Sequence, residues 1–464
     1  MSRQEFYEKC RKEYPIFTYK GFSFNLKDQG LNITFDFSIN GLSEFHPTWF
    51  IPIINQISFM DQNLLDELIF SLGMVELISY WKISCPSTVI INNRKLSSNQ
   101  IDWWKKLYWY GLGEFYYTNG IKENQDSFMS INCLSEKQQS YTQKLNDNDN
   151  HNFKPDEIQR ILIPVGGGKD SIVTIELLKD KADIYCYIIN SRGATNATVE
   201  VADLSKKTIY AKRTLDKNML ELNKKGFLNG HTPFSAIVAF SSIIAGYLNA
   251  ISFVALSNES SANESTIKGS YINHQYSKSF EFEKDFNYYE KIFIKSGVNY
   301  FSFLRPINEL QIAMLFSRLK KYHRIFKSCN VGSKQDIWCC HCSKCLFVYI
   351  ILSPFLSLKE LDEIFGKRLL EDETLINDFD KLCGIISEKP FECVGSIDEV
   401  NASINVIVSK YENEGIKFPK LLLHYKELEI ANDLSFEKII SQYSNEHGMN
   451  KYFENIIKEA LKQK

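Results

Sequence analysis

Gly166, Gly167 and Gly168, followed at once by Lys169, Asp170 and Ser171, are residues of the types that hold phosphate. Glycine permits positive φ and close approach of a ligand to the backbone. The amides of such a loop, with the positive end of a following helix, bind phosphate or pyrophosphate. The flanks suit this. An apolar run, Ile161–Val165, precedes the glycines, and Ile172, Val173, Ile175, Leu177 and Leu178 follow in a helical pattern. The order is strand, tight loop, helix. A Walker A loop would need Ser or Thr directly after Gly168-Lys169, where Asp170 stands. A dinucleotide fingerprint would need a third glycine where Ser171 stands. Both are excluded.

A second cluster is sulfur-rich. Cys329, Cys339, Cys342 and Cys345 form the frame C-x9-C-x2-C-x2-C, with Cys340 and His341 inside it. Four thiolates grouped in this way suit a closed tetrahedral Zn2+, and the x2 spacing lets a tight turn present successive sulfurs to one centre. A metal-free cysteine cluster and an iron–sulfur cluster are the alternatives, and Cys340 either replaces Cys339 as ligand or stands apart. The other cysteines are scattered, as expected of reduced thiols and not of a disulfide framework.

Three polar segments carry acid–base groups. Asn229–Ser235 (NGHTPFS) leads into a long apolar helix and puts His231 and Thr232 at its N-terminus. Asn258–Glu264 (NESSANE) leaves the apolar run FVALS, and Asn273–Ser279 (NHQYSKS) follows shortly after. Residues leaving the carboxyl ends of parallel strands are where function concentrates; helix capping by Thr232 and Ser277 is the plainer role open to them.

The elements that must position these groups follow from periodicity. Candidate strands at Ile161–Val165, Asp183–Asn190, Thr208–Arg213, Ile251–Ser257 and Tyr300–Leu304 alternate with helical patterns, notably Pro233–Asn249. That alternation predicts an α/β fold with a central parallel sheet. Before it, Phe22, Phe24 and Leu26, a turn at Asp28-Gln29-Gly30, and Leu31, Ile33, Phe35, Phe37 and Ile39 predict a β-hairpin with one face buried. Leu64–Trp81 is helical with apolar residues on one side, and Ile101–Tyr117 is dense in Trp and Tyr of the kind that builds cores. After Cys345 the chain is mostly helical. The expected organisation is an α+β N-terminal domain (1–134), a polar linker (135–157), a nucleotide-loop domain (158–328), the cysteine knuckle (329–345) and a helical C-terminal region (346–464).

At 464 residues the chain is long enough for two or three domains. A net charge of −2 argues against a dedicated nucleic-acid binder. The charged start MSRQEFYEKCRKEYP lacks a signal-peptide layout, and the longest apolar stretches fall short of a bilayer span. The expectation is a cytoplasmic protein with a small-molecule substrate and neither nucleic-acid nor membrane partner.

The glycine segment resembles the PP-loop of the ATP pyrophosphatase superfamily, Ser-Gly-Gly-x-Asp-Ser, at Gly167, Gly168, Asp170 and Ser171. Gly166 stands where that signature has its first Ser, which removes one hydroxyl donor. The resemblance implies an adenine nucleotide alpha-hydrolase-like domain that binds ATP. Gly166, Gly167, Gly168, Lys169, Asp170 and Ser171 would hold the nucleotide, with Ser171 and the glycine amides on the pyrophosphate, Lys169 adding charge and Asp170 meeting Mg2+ or water. Loop and knuckle together are similar to 7-cyano-7-deazaguanine synthase, which keeps open an enzyme that amidates or otherwise modifies an adenylated carboxylate. No glutaminase domain or rhodanese-like loop is recognisable to supply nitrogen or sulfur. A nucleotide sensor without turnover is the non-enzyme alternative.

Taken together, GGGKDS, NGHTPFSA, LSNESSANES, NHQYSKS, KCLFVY after the knuckle, PFECVGS, FHPTWF and GLGEFYYTNG resemble the MurL family over most of the chain. The resemblance implies an ATP-consuming isomerase of peptidoglycan synthesis. It would invert the terminal L-Glu of the UDP-muramoyl dipeptide UDP-MurNAc-L-Ala-L-Glu through an acyl-adenylate, releasing AMP and pyrophosphate. Asp170, His231, His274 and Lys278 are then the expected catalytic residues. Tyr276, Glu259 and Glu264 are further acid–base candidates, and the sequence does not rank these proton-transfer groups.

Overall fold

A computed structural model describes residues 1–27, 29–55, 60–135, 160–267, 270, 272–428 and 435–462. Of the expected linker 135–157, all but Ser135 lies outside the described residues. Eleven strands are described: β1 (Ile16–Lys27), β2 (Gly30–Ile39), β3 (Ser43–Phe45), β4 (Thr48–Pro52), β5 (Thr88–Ile91), β6 (Ser130–Cys133), β7 (Arg160–Pro164), β8 (Asp183–Ile189), β9 (Thr208–Thr214), β10 (Phe253–Leu256) and β11 (Asn299–Ser302). The chain forms two compact units. Unit 1 comprises Met1–Arg160, Ile209–Val254 and Tyr271–Tyr300; unit 2 comprises Ile161–Thr208, Ala255–Ser270 and Phe301–Lys464.

In unit 1 the strand order is β9-β4-β2-β1-β5-β6, with β3 paired to β2. The expected hairpin forms: β1 and β2 are antiparallel, with Leu26 opposite Leu31. The alternating residues of β2 from Leu31 to Ile39 are buried. On β1 the register shifts between Tyr19 and Gly21. The bulge shifts the phase of the strand, so that Phe22, Phe24 and Leu26 stand opposite Phe35, Ile33 and Leu31 on the face that Phe17 and Tyr19 share. Phe17 and Tyr19 are buried, while Phe22, Phe24 and Leu26 toward the hairpin end stay partly exposed. The helix Gln62–Trp81 is buried on almost every side instead of one, and packs against the helix Phe234–Leu248. A Cβ at its Gly73 would fall 2.0 Å from the Tyr19 hydroxyl, so only glycine allows that approach. Trp103 and Trp104 of the helix Ser98–Gly111 pack with Phe240 and Tyr289 as core. Thr208–Thr214, expected among parallel strands, pairs antiparallel with β4. Its Arg213 forks onto the buried Glu76 at 2.7 and 3.0 Å, an ion pair that fixes the strand end to the central helix.

In unit 2 the order is β11-β10-β7-β8. The helix Lys169–Leu178 joins neighbours β7 and β8, the crossover that parallel strands require. The region after Cys345 is helical, as its pattern predicts, with the longest helix at Ile397–Glu414. Among the described residues no helix is long and apolar enough to cross a membrane.

Candidate functional sites

Unit 2 holds the glycine loop at the carboxyl end of β7. Gly167 has φ +83°, and a Cβ there would lie 3.0 Å from Ala194 and 3.1 Å from the Thr195 amide. Glycine is therefore required on both conformational and steric grounds. Gly166, by contrast, faces open space. Gly168 caps the helix Lys169–Leu178 without a side-chain cap hydrogen bond, and a Cβ there would lie 2.7 Å from the Ser328 hydroxyl. The Ser171 hydroxyl donates to the Gly168 carbonyl at 3.1 Å.

Lys169 is fully buried and ion-paired with Asp170 at 2.5 Å and, more tightly, with Glu309. Glu309 opens the helix Glu309–Ser317 and was not identifiable from sequence. Burial raises its pKa and the Lys169 ammonium opposes that rise; the carboxylates of Asp170 and Glu259 add to it. Lys169 correspondingly stays protonated, because its two carboxylates outweigh its burial. Around them, a Cβ at Gly395 would sit 2.8 Å from the Glu399 carboxylate and 3.2 Å from Glu309. The PFECVGS segment thus lies against the base of the loop. Glu259 is buried and accepts from the Ser261 hydroxyl at 2.9 Å, whereas the exposed Glu264 pairs with Lys389 at 3.0 Å.

The four cysteines of the frame converge, with all four sulfurs within 4.8 Å of one another. The separations for Cys329–Cys342, Cys339–Cys345 and Cys342–Cys345 are 4.0, 3.7 and 3.6 Å. Four thiolates about 2.3 Å from one ion span tetrahedral edges of roughly 3.8 Å. The cluster therefore fits a single metal ion, a smaller body than an iron–sulfur cluster. The Gly332 amide donates to Cys329 Sγ at 3.1 Å. Cys340 takes positive φ (58°), which turns its thiol onto the Phe365 carbonyl and away from the others; Cys339 is the convergent residue. The cysteine loop also touches the glycine loop. Lys327 N donates to Gly167 O at 2.9 Å, and Asp336 accepts from the Gly193 and Ala194 amides at 2.8 and 3.0 Å.

Unit 1 brings His231 and His274 together, with ring centroids 4.7 Å apart. Both Nδ1 atoms meet the same oxygen, Oε2 of Glu114, at 3.2 Å from His231 and closer from His274. Burial first, then the neighbouring His274, lowers the His231 pKa to about 4; Lys82 and Lys278 act in the same direction and Glu114 against it. Lys82 is itself pushed down to about 8, chiefly by burial, and donates to the Gly230 carbonyl and to Thr232 Oγ1 at 2.6 Å. Tyr276 is buried and stacks on Tyr110. Glu114 and Lys82 were missed from sequence; the only signal for Glu114 was its place in GLGEFYYTNG.

A glycine loop at a strand end, a four-thiolate cluster and two imidazoles facing one carboxylate are thus the sites of an α/β protein. The model of the MurL N-terminal domain matches residues 8–303 and that of the MurL C-terminal domain residues 325–427. The chain belongs to the MurL family. It is 31% identical over 382 residues to a Xanthomonas oryzae pv. oryzae protein named UDP-N-acetyl-alpha-D-muramoyl-L-alanyl-L-glutamate epimerase, covering 80% of this chain and 81% of that one. Proteins of the same name from a Micromonospora species and from Salinispora tropica are 31% and 35% identical, covering 75% and 54% of this chain and 76% and 56% of theirs. No solved structure matches the chain.

Proposed function

We propose that this protein is an ATP-dependent epimerase converting the terminal L-Glu of UDP-MurNAc-L-Ala-L-Glu to D-Glu for peptidoglycan precursor synthesis. One observation carries the reading. In a chain similar over four fifths of its length to a protein named for this epimerisation, two imidazoles from separate segments, His231 and His274, meet at one carboxylate. Removing and returning an α-proton requires such groups.

The α-proton of a free glutamate is hard to remove because the adjacent carboxylate repels the new negative charge. Attack of that carboxylate on the α-phosphorus of ATP forms an acyl-adenylate and breaks the bond to pyrophosphate. The carbonyl is then neutral and accepts the electron pair of the broken C–H bond. After the proton returns to the opposite face, water cleaves the acyl–phosphate bond and AMP leaves. The amides of Gly166–Gly168 and the N-terminus of the helix Lys169–Leu178 suit the departing pyrophosphate. Mg2+, when bound, would neutralise phosphate charge; both Asp170 and Glu309 pair with Lys169, and Asp170 is the carboxylate to hold the ion because its side chain is 30% exposed while that of Glu309 is 3% exposed. Zn2+ is the ion proposed for the four cysteines, in a structural role.

The test is purified protein with ATP, Mg2+ and the L-Ala-L-Glu nucleotide in deuterated water. D-Glu carrying deuterium at Cα, with equimolar AMP and pyrophosphate, is expected. Release of ADP and phosphate, or an adenylate whose α-proton never exchanges, would sink the proposal.

A further inference from the structure

We infer that Glu114 is a positioning carboxylate that makes His231 and His274 one acid–base pair, with Nε2 of each ring as the proton-exchanging atom; this rests on the epimerase reading. An ionised carboxylate oxygen accepts hydrogen bonds and cannot donate them. His274 Nδ1 hydrogen-bonds Glu114 Oε2 and so carries the proton of that contact, and His231 Nδ1 stands 3.2 Å from the same oxygen at ion-pair distance; a proton on His231 Nδ1 completes the pair. The neutral and cationic forms of each then differ only at Nε2.

Inversion needs one group that takes a proton and another that gives one, so the pair must hold a single exchangeable proton. The groups facing His231 set that number. Glu114, on the short helix Gly113–Thr118, favours the first charge. The second imidazole, Lys82 at the end of the helix Gln62–Trp81 and Lys278 in the turn Tyr276–Lys278 oppose another, and so does burial. In the reaction the neutral ring's Nε2 takes the α-proton, the C–H electron pair moves to the acyl carbonyl, and the other ring's Nε2–H is delivered to the opposite face. One proton enters the pair and one leaves.

The cluster is built from the backbone outward. Gly230 has φ +155°, and a Cβ there would lie 3.2 Å from the Phe115 ring. Asn119 Nδ2 donates to the Asn229 and Phe115 carbonyls at 3.0 and 2.9 Å. Gly113 meets Ile272, with a Cβ position 3.6 Å from its Cα. The segments bearing Glu114, His231 and His274 are thus fastened beside one another.

Glu114→Gln keeps the size and removes the charge. ATP-dependent α-proton exchange should fall about 100-fold or more, and pyrophosphate release far less. In the residual activity the alkaline limb of the pH profile should move to lower pH, because the proton-giving imidazolium loses its counter-charge. Glu114→Asp should restore both in part. An exchange rate near wild type in Glu114→Gln, or an unmoved limb, would overturn the inference. So would a second tightly bound transition-metal ion per chain that vanishes in Glu114→Gln, because the cluster would then be a metal centre. Nitrogen-15 NMR of the histidines in the substrate-free protein tests the pairing apart from turnover. Both rings should be Nδ1-protonated, and Nε2–H tautomers would refute it. A wild type with both rings Nδ1-protonated that never exchanges the α-proton would instead fail the epimerase reading alone.

Discussion

Among single residues, Lys169 carries a heavy electrostatic load: a buried ammonium held by two carboxylates. Removing one partner from a buried pair leaves uncompensated charge, which typically costs about 3–5 kcal/mol, whereas replacing both partners by apolar groups is often near neutral. Glu309→Gln should therefore lower the denaturation midpoint sharply, and Lys169→Met with Glu309→Leu should recover much of the loss. A double variant no more stable than the single would contradict this account. His231 gives a second handle. Its unfolded pKa is 6.5 and its folded one about 4, so between those values the unfolded chain binds a proton that the folded chain does not. The stability tied to neutral His231 is complete above pH 6.5 and is lost as pH falls toward 4, by roughly 2–3 kcal/mol. Denaturation midpoints of His231→Gln should fall less steeply than wild type across that window.

At the level of elements, the glycine loop divides into a rigid and a permissive position. Gly167→Ala places a Cβ against Ala194 and Thr195 at positive φ, a strain of about 1–3 kcal/mol, and should abolish pyrophosphate release. Gly166→Ser, facing open space, should stay as stable as wild type by thermal melting. The strand–loop–helix order around these glycines was legible because its signals are local: an apolar run, three glycines, a helical period. Most of the helices after Cys345 were legible for the same reason. Glu114 was not, because a lone Glu among aromatics acquires meaning only when residues far along the chain fold onto it. The bulge between Tyr19 and Gly21, which brings Phe22 and Phe24 onto the face of Phe17 and Tyr19, is announced by no alternation. The burial of Lys169 depends on Glu309, far along the chain, and a lysine beside a glycine loop gives no local sign of facing inward.

For the molecule as a whole, the cysteine frame should bind one zinc ion per chain, measured by elemental analysis. Replacing the fully buried Cys345 with Ser should release it and destabilise the protein, since structural metal binding is coupled to folding. Iron with sulfide, or no metal, would refute the assignment. The threading of the chain has a consequence of its own. Unit 1 is assembled from three stretches, the last ending at Tyr300, so no contiguous fragment reproduces it. A fragment of residues 1–160 lacks both β9, which pairs with β4, and the helix Phe234–Leu248, which covers the apolar helix Gln62–Trp81; expressed alone, it should aggregate. On the ribosome, where elongation runs at about 5–20 residues per second, the nascent chain must wait on the order of ten seconds between emergence of Arg160 and of Tyr300. Until Leu248 emerges, part-way through that interval, the helix Gln62–Trp81 has only its own hairpin to pack on and leaves open the face that Phe234–Leu248 covers, which makes protein birth, more than the finished molecule, the stage at which this architecture depends on chaperones.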